Sequence, residues 1–378
     1  MELSPSLQYV PSLDSRPVQE VLDSLSAFQP ITSEKNIWAF WHSGLASLPP
    51  WCRRNVTDWI QLNGSDWKVR ILDDIPDSPN NVARYIPENM LPEIFRKKAM
   101  TGPFVGQHSA DLIRGACLYL HGGVWMDVGI LLFRQLDGIW NDLLQNEKDM
   151  CVMHMGGTGI SNHFIAARRQ SPLVKHWHDL FAYLWKDRTD CSGLSAHPLL
   201  LPVLESGNKF HGDEATNHFG WEHVCSPDKI MDYGAHILVW QRLVMLQSDE
   251  FDGVDYFMDK VLLLDVVNEA WRGEKLFGWK GSDLFDALNS PVDPASPAFK
   301  MVMTLLAQAC MQKVYRGKEM LKYPALGVLW DDHEGADCQE GTLAGLLRHG
   351  SVHFEQKRQL VYVANPRPVV LHKGVYEV

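Results

Sequence analysis

No apolar run in this 378-residue chain reaches the roughly eighteen residues that a membrane-spanning helix needs. The longest, from Ile237 to Leu246, is interrupted by Gln241 and Arg242. The start, Met1-Glu2-Leu3-Ser4-Pro5, lacks the basic and apolar regions of a secretory signal. The seven cysteines are scattered, odd in number and without a Cys-x-x-Cys pair, which excludes a disulfide scaffold and fits a reduced chain. A soluble cytoplasmic protein is the expectation. Positive charge is also scarce: 35 basic against 46 acidic residues leave a net charge of −11, which argues against a generic nucleic-acid binder. Three further signatures are missing: a Gly-x-Ser-x-Gly elbow, a His-Glu-x-x-His pair and a Walker A loop.

What is present is a large apolar fraction, 46 % of the residues, with fourteen tryptophans, enough for a substantial core. Residues 1–34 are polar and proline-rich and read as an irregular lead-in. Asn36 to Trp41 reads as a buried strand and Trp51 to Leu62 as a helix. Lys68 to Leu72 then reads as a second strand, followed by Asp73-Asp74. This β-α-β order predicts a parallel sheet. Pro87 to Met100 reads as a helix, and Ser109 as the cap of a helix over Ala110 to Leu120. Gly122-Gly123 ends that helix, and Val124 to Asp127 and Val152 to Met155 read as strands. Pro172 opens an amphipathic helix with Leu173, Val174, Trp177, Leu180, Phe181 and Leu184 on one face. Helices are expected near 236–247 and 297–316, and short strands at Leu360–Val363 and Pro368–His372. The whole reads as one α/β domain: a mostly parallel sheet with flanking helices over 35–200, and a C-terminal elaboration over 201–378.

The segment from His108 to Gly129 carries the chemistry. Asp111 and Arg114 lie three apart on a helix and share a face. A carboxylate beside a guanidinium suits a ligand with both hydroxyls and phosphate; the bland alternative is a helix salt bridge. Asp127 falls at the carboxyl end of a strand, the place where open α/β sheets bind ligands. The alternative for Asp127 is a structural acid paired with a neighbouring arginine.

Three runs in this region, Ala110-Asp111-Leu112-Ile113-Arg114, Tyr119-Leu120-His121-Gly122-Gly123 and Asp127-Val128-Gly129, together resemble the core of sugar transferases of the GT-A fold that carry an Asp-x-Asp motif. The likeness is to family 32 and the capsular polysaccharide synthesis type, and more distantly to the large clostridial glucosylating toxins. Ile37 to Gly44, Trp51 to Asp74 and Asn162 to Ala167 are similar to further blocks of these proteins. The resemblance implies a GT-A-like (Rossmann-like) fold and transfer of a sugar from a nucleotide-sugar donor to a small-molecule or glycan acceptor. It implies that Asp111, Arg114 and Asp127 grip the donor sugar and phosphate. It also implies that Trp41 stacks on the base, and that Asp73 and Asn162 help bind the nucleoside and donor. A retaining outcome would follow from it too.

The departure is Gly129, where these transferases have the acid that holds Mn²⁺ or Mg²⁺. Three explanations stand open. Another carboxylate supplies the metal site, with Asp331-Asp332-His333-Glu334 and His372 as candidates; or lysine and arginine replace the metal; or the donor is not a nucleotide sugar. The last would suit a tRNA-dependent arginine-containing cyclodipeptide synthase of fungal secondary metabolism, which has been suggested to share the architecture; its partner would be aminoacyl-tRNA. A non-catalytic binding protein is the third class. His154, His163, His176 and His178 lack metal-ligand spacing, and Cys117 and Cys151 sit in apolar runs as core thiols.

Overall fold

The computed structural model describes residues 4–206, 226–317 and 320–378. Ten strands are described: β1 (Leu7–Tyr9), β2 (Asn36–Phe40), β3 (Lys68–Leu72), β4 (Gly123–Met126), β5 (Ile130–Leu132), β6 (Met150–Gly156), β7 (Gly159–Ala167), β8 (Val261–Asp265), β9 (Met311–Lys313) and β10 (Phe354–Gln356). Six form one sheet in the order β3-β2-β4-β7-β6-β8. β2 pairs in parallel with both β3 and β4, and β6 with β8; the hairpin strand β7 runs antiparallel to its two neighbours. The expected α/β architecture, mostly parallel with flanking helices, is what forms.

The sheet is buried on both faces, as its continuous apolar strands require. The pleat splits each strand between two cores. Ile37 and Ala39 of β2, with Val124 and Met126 of β4, face one core. Trp38, Phe40 and Trp125 face the other. The first core is covered by α2 (Pro50–Asn63) and C-terminal helices, among them Pro297–Gln308 and Leu343–His353. The second is covered by α4 (Val105–His121) and by the helices Pro172–Leu184 and Ala235–Met245. At the start of β4, Gly123 has φ +111°, and a Cβ there would stand 2.3 Å from the Asn36 carbonyl oxygen. Only glycine lets β4 lie this close beside β2.

Several expectations change. The lead-in is not wholly irregular: β1 pairs with β10, and α1 (Val18–Leu25) buries Val21 and Leu25. The helix expected over Pro87–Met100 divides into a single turn at Glu88–Met90 and a short α3 (Glu93–Arg96). Leu91, held extended before Pro92, breaks it. Helix α4 begins at Val105, not Ala110, so Ser109 lies inside it, buried against Met100 rather than capping it. The helix expected over 297–316 stops at Gln308; Met311–Lys313 instead pairs antiparallel with β5. The two terminal strands are reduced to isolated bridges, Val363 to Leu263 and Leu371 to Leu246, since Pro366 and Pro368 cannot donate to a ladder.

Candidate active site

At the carboxyl ends of β2 and β4 lies a cavity of about 520 Å³, the position where open α/β sheets bind ligands. β7 begins at the same end because it runs antiparallel to β4, and it contributes Ser161, Asn162 and His163. The cavity's charged lining residues are Asp111, Arg114, Asp127, Lys313 and Arg316. The rest is largely aromatic and aliphatic: Phe40, Trp41, Trp51, Phe104, Tyr233, Trp271, Trp279 and Leu321 among others.

Asp111 is the hub of a buried network. Its carboxylate stands 3.3 Å from Arg114, 3.4 Å from His108 and 3.6 Å from His236. The Asn162 amide donates to it at 3.0 Å. Burial would raise this carboxyl, yet Asp111 ends below its ordinary value because Arg114 and the histidines surround it. Burial alone would lower His108, but Asp111 and the Cys191 thiol outweigh it and raise His108 to about 9. His236 goes the other way: burial pushes it down to about 3 in spite of Asp111.

Arg114 spans the site. Besides Asp111 it lies 3.5 Å from Asp127, donates to the Asn162 carbonyl, and sits with its guanidinium carbon 5.0 Å over the Trp125 ring. Asp127 follows β4 directly. One oxygen accepts from the Trp125 indole at 3.1 Å, the other from Lys313 Nζ at 2.6 Å. Burial would raise this carboxyl; Lys313 and Arg114 overcome that and hold it at about 2. Beside it His163 stacks on Trp271 and takes a 2.6 Å contact between Nδ1 and the Ser161 hydroxyl. Burial, with Lys313 adding its charge, lowers His163 to about 3, so its ring is neutral.

Gly129 is held by close approach. The Val314 N–H donates to its carbonyl at 2.8 Å, and a Cβ at position 129 would lie 2.2 Å from the Val314 carbonyl oxygen. The residue ahead of Val314 is Lys313, so β9 closes over position 129 and delivers an ammonium to Asp127.

Of the residues singled out in the sequence, Trp41, Asp111, Arg114, Asp127 and Asn162 line the cavity together. Trp41 carries the Arg316 guanidinium 5.4 Å over its ring. Asp73 is not among the lining residues; its carboxylate accepts from the Ser78 hydroxyl at 2.6 Å and the Ile75 N–H at 3.2 Å, shaping the turn after β3. Asp331 pairs with Arg316 at 3.0 Å and with the Trp51 indole at 2.8 Å, and neither it nor His372 lines the cavity. Among the described residues no group of three or more His, Cys, Asp or Glu is placed to hold a metal ion. His154 and His178 spend a ring nitrogen on the carbonyls of Gly157 and Met90. Cys117 and Cys151 are buried, and burial pushes both thiols far up. No helix among the described residues is long and apolar enough to cross a membrane.

Lys313, Arg316, His108 and His236 were not anticipated. The Lys313 signal was hidden because Cys310-Met311 extends the apolar pattern of the preceding helix, so the strand was absorbed into it.

Residues 19–192 match the family model described as capsular polysaccharide synthesis protein. Over its whole length the chain is 40 % identical to probable glycosyltransferase FCK3 of Fusarium pseudograminearum, covering 98 % of that protein. It is 36 % identical to O-glycosyltransferase PaGT of Phomopsis amygdali, over 97 % of this chain and 94 % of the relative. With glycosyltransferase afumC of Aspergillus fumigatus it shares 37 % identity, over 95 % and 96 % of the two chains. The aminoacyl-tRNA alternative gains no support from these relatives.

Proposed function

The chain belongs to the glycosyltransferase family of these fungal proteins, and from that premise we propose that it moves a sugar from a nucleoside-diphosphate donor to a hydroxyl of an apolar small molecule. The observation that carries this reading is one cavity whose lining joins Asp111, Arg114, Asp127 and Lys313 with a largely aromatic and aliphatic wall. A diphosphate needs cationic hydrogen-bond donors, and Arg114 offers a planar fork for its oxygens. A sugar needs carboxylates that accept from hydroxyls, which Asp127 and Asp111 supply at the same place. Phe104, Trp271 and Trp279 in that wall would bury an apolar acceptor.

In this reading the donor lies in a GT-A-like half, residues 35–200, with the base against Trp41 and the sugar between Asp111, Asn162 and Asp127. The C-terminal half closes the acceptor side. Transfer to oxygen is the reaction in the printed name of the Phomopsis relative, and the same bond is proposed here.

The test is a thermal-shift series on the purified chain with UDP-, GDP- and TDP-sugars, followed by incubation with hydroxylated apolar acceptors and mass spectrometry. The expected result is a donor-dependent rise in melting temperature and a product heavier by one sugar residue. Absence of any shift and of any sugar transfer, with consumption of charged tRNA instead, would overturn it.

A further inference from the structure

The resemblance to Asp-x-Asp transferases implies a divalent ion held by the acid two residues after Asp127, and the described residues here do not fit one. The misfit is deeper than a missing side chain. Position 129 has no room for one, because the Val314 carbonyl oxygen would stand 2.2 Å from its Cβ. The same ribbon fills the coordination space with a cation of its own: Lys313 Nζ is 2.6 Å from Asp127 Oδ2. The other oxygen of Asp127 faces the Trp125 indole and Arg114. A Mg²⁺ or Mn²⁺ ion wants about six oxygen ligands; among the described residues it would meet at Asp127 a carboxylate already bracketed by two cations.

We propose that Lys313, with Arg114, takes the place of the divalent ion and binds the donor's diphosphate directly. This rests on the glycosyltransferase reading above. Geometry supports it at three points. Lys313 reaches the cavity from β9, whose register opposite β5 sets Lys313 across from Ile130. The Lys313 N–H donates to the Ala270 carbonyl at 2.7 Å and the Val314 N–H to Gly129, so the backbone carrying the ammonium is fixed on both sides. And the Lys313 side chain, only 13 % exposed, lines the cavity together with Arg114, where partial desolvation strengthens a phosphate contact. Asp127 then holds the ammonium in position until phosphate arrives, and shares it afterwards.

Calorimetric titration of the full chain with UDP, GDP and TDP, each in EDTA and then with Mn²⁺ or Mg²⁺, tests this without depending on turnover. The expected result is binding in EDTA, with a Kd that metal changes by less than about twofold. Lys313→Met should weaken the same diphosphate by roughly 10- to 100-fold, the worth of one hydrogen bond to a charged group, with Lys313→Arg recovering most of it. Asp127→Asn should keep diphosphate binding in EDTA, because it removes an anion and leaves both cations. Binding that appears only with metal, or tightens tenfold or more with it, overturns the metal-free arrangement and leaves the glycosyltransferase reading standing. No binding of any diphosphate in either condition overturns both. The EDTA comparison uses the unmodified chain, so it decides the matter even if a Lys313 variant fails to fold.

Discussion

Lys313 Nζ lies 2.6 Å from Asp127 Oδ2 although 186 positions separate the two residues in sequence. The contact ties the C-terminal half of the chain to the end of β4, and it decides the electrostatics of the cavity. An acid that would face a ligand as a bare carboxylate faces it instead as one end of an ion pair.

Asp111 is held by so many internal partners that its first duty is structural. Asp111→Asn leaves Arg114 and His108 buried with less than their countercharge. Breaking a buried pair in this way costs about 3–5 kcal/mol, and urea denaturation should register a loss of that size. If stability is unchanged while donor binding disappears, Asp111 serves the ligand and not the network.

Gly129→Ala should destabilise by about 1–3 kcal/mol, the usual cost of forcing a methyl into filled space, because only the Val314 backbone can yield. Gly129→Asp should do at least as much harm and should not create metal-dependent binding. A Gly129→Ala protein as stable as the parent in chemical denaturation would show that β9 does not press on position 129 as described.

Stability should depend on pH from both sides of this site. His108 is raised from 6.5 to about 9 in the folded chain, so its contribution is complete below pH 6.5 and is lost as pH rises through about 9. Asp127 is lowered from 3.8 to about 2; its contribution is complete above pH 3.8 and is lost as pH falls through about 2. Melting temperatures should therefore decline between pH 6.5 and 9, and His108→Gln should flatten that limb. An undiminished decline in His108→Gln would assign it to another group.

Much of the sheet was legible in the sequence because its strands are continuous apolar runs and its helices keep a strong period. Asn36–Phe40, Lys68–Leu72 and Pro172–Leu184 formed where the pattern put them. Asp111, Arg114 and Asp127 could be placed in one cavity because local order fixes them: two residues three apart on one helix face, a glycine turn, and a strand end. The helix expected over Pro87–Met100 failed where Pro92 forbids continuity, and the strand Met311–Lys313 was missed because its partner, β5, lies far away in sequence.

The sequence by itself determined the fold class, the cavity's position and its first three charged residues, since each follows from short-range geometry. Only the tertiary structure decided what Gly129 means. In sequence it is an acid that is absent; in space it is the point where the Val314 backbone closes in and brings Lys313 to Asp127. Close approach and charge pairing between distant segments depend on how the whole chain packs, and no local pattern encodes them.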